Sequence, residues 1–472
     1  MKVPLVCGNN YNITILRDNI YTMKNIALIG AGRSSSSLIQ YLINNAEQKD
    51  LNIVIADREI GHLNDIVGNS DRVEQIVFDV FDDDARIALI QKADLVISML
   101  PARFHIVVAK DCITYKKDMI TASYISEEMS ALDQEAKDAG IMLLNEMGVD
   151  PGIDHMSAMR VIGDLQEKGA KFLQFESFTG GLVAPESDTN PWGYKFTWNP
   201  RNVVLAGQGG AVKFIQEGRY KFIPYHMLFR RTEKLEVKGY GSFEGYANRD
   251  SLAYRSLYGL DNIPTMYRGT LRRPGFSRSW DIFVKLGLTD DSYTLEDSEE
   301  LTHRTFINKF LAYSERDSVE LKLMHYLKID QDSDIMSKLE WLGMFSDEKV
   351  NLKNATPAQV LQSILEKKWT LEPKDKDMIV MVHMFGYELN GKRELITSSM
   401  VTMGDDQTYT AMAKTVGLPV GIGALLILDK TIHKPGVHLP VTKDIFVPVL
   451  NELEKFDISF TEEKGEYLGY ML

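Results

Sequence analysis

The feature that most constrains this chain is the rhythm of its first 150 residues. Short apolar runs at 25–29, 52–56, 75–80, 94–100, 118–124 and 141–146 alternate with amphipathic stretches near 34–46, 84–92, 102–113 and 127–139. The runs are continuously apolar, as expected of strands buried on both faces. Such strands separated by helices predict a parallel sheet with helices packed on both sides. The first part of the chain is therefore expected to be α/β, a Rossmann-like doubly wound parallel sheet.

Beyond residue 150 the rhythm changes. Residues 170–275 are rich in Gly, Tyr, Phe, Trp and Arg, with strand-like pieces at 171–178, 202–206, 211–215 and 235–240. They predict a mixed α+β domain. Residues 295–370 are polar, with helical periodicity in 300–313, 317–327, 333–343 and 357–367. Two strand patterns, 377–387 and 393–403, flank Asn390-Gly391, a strong hairpin signal. A last helical pattern covers 410–428. At roughly 150 residues per domain, 472 residues make about three units, ample for a large core.

The turn after the first strand reads Gly30-Ala31-Gly32-Arg33-Ser34-Ser35 and opens a helix. Glycines there let the backbone approach a pyrophosphate, and the helix N-terminus supplies N–H donors. Ser35 stands where a third glycine is usual, so the motif draws its weight from its strand–helix setting. At the end of the next strand stands Ala56-Asp57-Arg58, with Asp57 27 residues beyond Gly30. A carboxylate here accepts from the adenine ribose diol and repels a 2′-phosphate, whereas Arg58 could hold that phosphate. Asp57 thus favours NAD and Arg58 allows NADP. Small or polar residues recur at further strand ends: Phe78-Asp79, Ser98-Met99-Leu100-Pro101, Thr121-Ala122-Ser123 and Glu146-Met147-Gly148-Val149-Asp150-Pro151-Gly152. Ligands of open α/β sheets bind at that carboxyl edge.

A basic and aromatic cluster follows: Tyr194-Lys195-Phe196-Thr197-Trp198, Asn248-Arg249-Asp250-Ser251 and Arg268-Gly269-Thr270-Leu271-Arg272-Arg273. Arginine forks bind carboxylates in pairs of hydrogen bonds, so an anionic substrate is one reading; surface ion pairs are the other. His105 and His155 are candidates for acid/base work, although a histidine placed like His155, in an early helical turn, is more often a structural hydrogen-bonder. The nine histidines show no metal-binding pattern, and no metal is expected. The two cysteines cannot form a disulfide framework, and Cys112 lies in an apolar helical pattern that reads as core. A reducing, cytoplasmic setting is the expectation. No continuous run of about 18 apolar residues is seen, so no membrane span is expected. The polar residues Asn9, Asn10, Asn12 and Arg17 argue against a secretory leader. Met23 is read as the natural start, with residues 1–22 outside the core.

These motifs resemble saccharopine dehydrogenases of the L-glutamate-forming type. The resemblance is carried by Leu95-Val96-Ile97-Ser98-Met99-Leu100-Pro101, Thr121-Ala122-Ser123-Tyr124, Asn145-Glu146-Met147-Gly148-Val149-Asp150-Pro151-Gly152-Ile153-Asp154-His155, Gly180-Gly181-Leu182, Tyr194-Lys195-Phe196, Asn248-Arg249-Asp250-Ser251, Arg268-Gly269-Thr270-Leu271-Arg272 and Ala411-Met412-Ala413-Lys414-Thr415. It extends from about residue 24 to about residue 450. It implies oxidation of the secondary amine of saccharopine to an imine by NAD(P), then hydrolysis to L-glutamate and 2-aminoadipate 6-semialdehyde, in lysine metabolism. It further implies cofactor contacts at Gly30, Ala31, Gly32, Arg33, Ala56, Asp57, Arg58, Phe78, Asp79, Met99, Thr121, Ala122, Gly148, Val149, Asp150 and Trp198. Substrate contacts are implied at Ala122, Ser123, Arg249, Thr270, Leu271 and Arg272. Asp150 is the best-placed carboxylate for catalysis; its other reading is a helix N-cap before Pro151. Arg33 and the serines that follow it depart from the apolar residues more usual after the glycines.

The implied layout is a dinucleotide-binding domain from 23–147 completed by about 408–472, a substrate domain from 148–290 and about 375–407, and a helical insertion at 291–374. A related secondary-amine dehydrogenase, such as one acting on carboxynorspermidine, and a non-catalytic nucleotide-binding homologue are the rival readings. A net charge of −13 disfavours nucleic acid and anionic membrane as partners. It is compatible with a locally basic pocket for a small substrate with three carboxylates. The assembly state is open, with a homodimer among the options.

Overall fold

The computed structural model describes residues 23–208, 210–248 and 250–469. The expectations made for residues 1–22 and for Arg249 lie outside the described residues.

The expected strands form a seven-stranded sheet. Its spatial order is Gly436–His438, Met142–Leu144, Asp118–Thr121, Leu95–Ser98, Lys24–Ile29, Leu51–Asp57 and Val73–Val77, all parallel. Leu95–Ser98 and Asp118–Thr121 are buried along their whole length, which explains why their sequences do not alternate. Helices Ser36–Lys49, Asp83–Lys92 and His105–Tyr115 are crossovers on the sheet faces. The stretch expected as one helix at 127–139 is divided into Glu127–Ala131 and Asp133–Ala139. Asp82 and Ser126 cap helix starts by accepting from Ala85 and Met129 N–H groups. The strand order reverses between Lys24–Ile29 and Leu95–Ser98, and there a nucleotide cleft belongs.

The second sheet is mixed and nine-stranded. Its central strand, Lys171–Val183, has Thr265–Arg272 parallel on one side and Asp377–Leu389 antiparallel on the other. The expected hairpin joins Asp377–Leu389 to Lys392–Met403, with Asn390 at φ 51° and Gly391 at φ 74°, as a tight two-residue turn requires. The helical segment caps this sheet's far side. Helices His303–Asn308, Val319–Leu327, Asp334–Trp341 and Pro357–Trp369 start at Thr302, Ser318, Ser333 and Thr356, whose side chains all accept from the first turn. Trp192, Trp280 and Trp369 fill the core between these helices and the sheet.

The structure corrects several expectations. Residues 202–206 do not form a strand; Pro200–Val204 is a short helix, because Asn199 caps it and Pro200 suits a first turn. The helix Ala411–Leu428 is, by length and composition, apolar enough to cross a membrane, contrary to the expectation that no such run exists. Here it is mostly buried, a core helix lying on Ser36–Lys49 and against the first sheet. Its N-terminus is held by Asp377 of the second sheet, whose carboxylate accepts from the Ala411 and Met412 N–H groups. Residues beyond 408 are shared between the sheets. Gly436–His438 extends the first, whereas Thr461–Glu466 pairs with Lys392–Met403 in the second, where the hairpin left an edge unpaired.

Candidate active site

The glycine turn follows from a steric demand. Gly30 has φ +94°, and a Cβ there would lie 2.8 Å from the carbonyl of Met99 on the neighbouring strand. Around Gly32 a Cβ would meet nothing within 4 Å, so the turn faces open space at the start of helix Ser36–Lys49. Ser35 does not cap that helix; its hydroxyl donates to the Gly32 carbonyl. The turn is braced by Asp57, whose carboxylate accepts from Ala31 N–H at 2.7 Å and Glu59 N–H at 3.0 Å. Arg33, Arg58 and Asp79 are exposed, while Ala56 and Phe78 are buried beneath them. Met99, Thr121 and Ala122 end the next two strands, and Gly148 and Val149 the loop after the third. Trp198, from the second domain, packs against both major cores. The sixteen proposed cofactor positions thus spread along one edge of the first sheet and its facing wall.

Where that edge meets the second sheet stands a buried ionic network. Asp150 Oδ1 accepts from the Tyr124 hydroxyl at 2.7 Å and from Arg268 Nη2 at 2.7 Å. The same Arg268 nitrogen donates to Asp154 Oδ2 at 2.8 Å. Two carboxylates therefore share one guanidinium, and their pKa values move in opposite directions. Burial opposes ionisation of Asp150, yet the Arg268 charge and the Tyr124 hydrogen bond hold its pKa below the ordinary value. For Asp154, burial and the Asp150 charge win over Arg268, and its pKa is raised. Burial and the Asp150 charge push Tyr124 well above the usual phenol value, so it is a neutral donor. Asp150 does not cap helix Ile153–Glu167, which corrects its alternative reading; the N-cap position is Gly152, and Asp154 takes the Gly152 N–H.

The two candidate histidines separate. His155 is fully buried behind this network, with Nε2 2.8 Å from Glu146 and Nδ1 against the Tyr258 hydroxyl. Glu146 is spent on His155, the Ile125 N–H and the Tyr254 hydroxyl. His155 is thus a brace for the loop that carries Asp150, not an acid or base in the cleft. His105 instead touches the strand ends, bridging Ser98 and Ser123, and burial pushes its pKa down to about 4.

The opposite wall is one face of Thr265–Arg272. Side chains alternate along a strand, so Arg268, Thr270 and Arg272 share that face, while Leu271 points into the core beyond. Register aligns Thr179 with Thr270, and the Thr179 hydroxyl lies beside Asp150. Arg272 differs from Arg268 in one respect that matters. It is 5% exposed, yet among the described residues no carboxylate lies within ion-pair reach. Its Nη1 donates to the Leu271 carbonyl and its Nε has no partner. The guanidinium sits 4.9 Å from the Tyr194 ring centroid and 5.3 Å from that of Phe276. The Thr197 hydroxyl is buried and unpartnered nearby in sequence to both Tyr194 and Trp198. A buried cation with free donors on one side is a receptor for an anion.

Sequence reasoning singled out the strand ends and Arg272. It did not assign Tyr124, Arg268 and Asp154 to the site, although Arg268 and Tyr124 stood inside quoted motifs. Arg268 meets Asp150 and Asp154 across more than 100 positions, and Tyr124 meets Asp150 across 26, contacts for which one sequence carries no signal.

Comparison with known proteins shows what the chain as a whole resembles. Residues 26–144 match the saccharopine dehydrogenase NADP binding domain and residues 148–458 the saccharopine dehydrogenase C-terminal domain. The chain is 34% identical over 449 residues to the NADP(+), L-glutamate-forming saccharopine dehydrogenase of Saccharomyces cerevisiae, covering 93% of this chain and 99% of that one. It is 33% identical over 449 residues to the mitochondrial alpha-aminoadipic semialdehyde synthase of Mus musculus, covering 94% of this chain and 48% of that protein. Among solved structures, apo saccharopine dehydrogenase (L-Glu forming) from Saccharomyces cerevisiae superposes with a TM-score of 0.85 at 32% identity, covering 94% of this chain and 100% of that one.

Proposed function

The chain belongs to the saccharopine dehydrogenase family, and from that premise we infer that it oxidises saccharopine with NAD(P) to L-glutamate and 2-aminoadipate 6-semialdehyde. It is an oxidoreductase acting on CH–NH donors, a reversible step of lysine metabolism. The observation that carries the reading within the site is Arg272, a buried guanidinium without a counter-ion among the described residues, on the same strand face as Arg268. A substrate with three carboxylates supplies that counter-ion.

The residues present fit a dinucleotide: the space around Gly32 is open to a pyrophosphate, and Asp57, at the end of the second strand, is the carboxylate we assign to the ribose. A bound nicotinamide would supply the hydride acceptor for the substrate carbon. The chain's residues do the rest. Loss of a hydride from an amine carbon leaves positive charge on the carbon–nitrogen bond. Asp150, held ionised by Arg268 and Tyr124, is the fixed carboxylate we assign to stabilise that charge. Its low pKa suits charge stabilisation better than proton uptake at neutral pH. Arg249, Thr270, Leu271, Arg272, Ala122 and Ser123 are assigned to the substrate's carboxylates and backbone-like atoms. Arg268 and Arg272 lie four residues apart on one strand, about 13 Å, which separates an anchored carboxylate from the reacting centre.

For the cofactor, Asp57 is proposed to favour NAD by accepting from the ribose diol, with Arg58, exposed beside it, permitting NADP. The test is direct. Purified protein with saccharopine and either nucleotide should generate reduced nicotinamide. Turnover with carboxynorspermidine but not saccharopine would refute the assignment.

A further inference from the structure

His105 lies between two hydroxyls, and the arrangement has a direction. Ser98, at the end of strand Leu95–Ser98, is 0% exposed, and among the described residues its hydroxyl meets only His105 Nδ1, at 2.8 Å. A buried O–H needs an acceptor, so Nδ1 must offer its lone pair. At neutral pH the ring carries one proton, because burial disfavours the second. That proton then sits on Nε2, which lies 2.7 Å from Ser123 Oγ and 3.5 Å from Thr121 Oγ1. Ser123 Oγ therefore receives a hydrogen bond from the ring, and the Ser123 hydrogen is left for something else. Its backbone N–H is already donated to Thr121 Oγ1 at 3.3 Å.

We propose that His105 is a positioning residue that fixes Ser123 as a hydrogen-bond donor to a carboxylate oxygen of the substrate. The chain of donation runs from Ser98 through the imidazole to Ser123 and ends on the anion. Each bond in such a chain polarises the next, and all point the same way. With the opposite tautomer, Ser123 would spend its hydrogen on Nε2 and present only lone pairs, which repel a carboxylate. The inference rests on the reading above that Ser123 touches the substrate.

The test uses Ser123→Ala, His105→Asn, His105→Gln and the double variant His105→Asn/Ser123→Ala, with steady-state kinetics on saccharopine. Asparagine can accept from Ser98 but falls short of Ser123, whereas glutamine carries a donor out to the Nε2 position. Ser123→Ala and His105→Asn should each raise KM for saccharopine about tenfold, the loss of one hydrogen bond to a charged group, with kcat and the cofactor KM little changed. The double variant should be no worse than Ser123→Ala alone, because both remove the same bond. His105→Gln should restore KM to within about twofold of the parent. Additive effects, or an unchanged KM in His105→Asn while Ser123→Ala raises it, would overturn the proposal and leave the Ser123 reading intact. An unchanged KM in Ser123→Ala would overturn both.

Discussion

Consider the replacement of Arg272 by methionine, which keeps the stem's volume and removes the charge. The guanidinium has five N–H donors. One is used on the Leu271 carbonyl, and the side formed by Nε and Nη2 has no partner among the described residues. That side can receive a carboxylate through two parallel bonds. Hydrogen bonds to charged groups are worth about 1.5–3 kcal/mol each, so losing the pair costs about 3–6 kcal/mol of binding. At about 1.4 kcal/mol per factor of ten, KM for saccharopine should rise on the order of a hundredfold to ten-thousandfold. Cofactor affinity should stay near its parent value, since Arg272 lies on the other sheet. Stability gives a second, opposite reading. An unpaired cation in a largely buried site costs free energy, partly offset by the rings of Tyr194 and Phe276. Arg272→Met should therefore unfold in denaturant at the same or a higher midpoint than the parent. Initial rates of nicotinamide reduction and urea titrations on one preparation measure both. A variant that loses stability while KM is unchanged would show that Arg272 is an aromatic-packed structural residue and refute the anion-receptor argument.

Three further outcomes follow from other parts of the structure. Asp57→Ala should move the ratio of kcat/KM for NAD and NADP toward NADP by about tenfold, since a carboxylate that repels a 2′-phosphate is gone; an unchanged ratio would show that Asp57 serves only the Ala31 turn. Asp150→Asn should lower kcat by about 10²-fold with cofactor affinity kept, because Arg268 retains Asp154 as its counter-ion; a parent-like kcat would remove Asp150 from catalysis. Glu176 is buried, and burial, reinforced by Glu233, pushes its carboxyl from 4.5 up to about 8. The folded state then holds a proton that the unfolded state has released, so this group's contribution falls as pH rises from about 4.5 to about 8, at up to about 1.4 kcal/mol per unit. Glu176→Gln should flatten that part of the stability–pH curve, and identical curves for both proteins would contradict it.

How much of this was legible in one sequence can be followed residue by residue. Gly30 is demanded by a positive φ local to a strand–turn–helix, which the motif announced, and by a 2.8 Å approach to Met99 on a neighbouring strand, which it did not. The paired helix caps at Thr302 and Thr356 are equally local. Asp150 was found as a carboxylate at a strand end, yet its state was not, because that state is set by Arg268, which lies 118 positions away. His155 and His105 were both acid/base candidates in sequence, with a structural reading for His155; their neighbours made it a brace and made His105 a bridge between hydroxyls at the strand ends. The helix Ala411–Leu428 was legible as a helix but not as a core one, since burial is a property of what packs on it.

The sequence alone determined the elements, because hydrophobic period, capping residues and glycine turns act within a few positions along the chain. It placed the nucleotide edge too, because a doubly wound sheet puts its ligands at the strand ends. The tertiary structure decided charge and access. It gave Arg268 two carboxylates and Arg272 none among the described residues, although both stand on one face of one strand. That difference is set by Coulomb interaction and desolvation between residues brought together by folding. These depend on distance in space, which the order of residues does not contain.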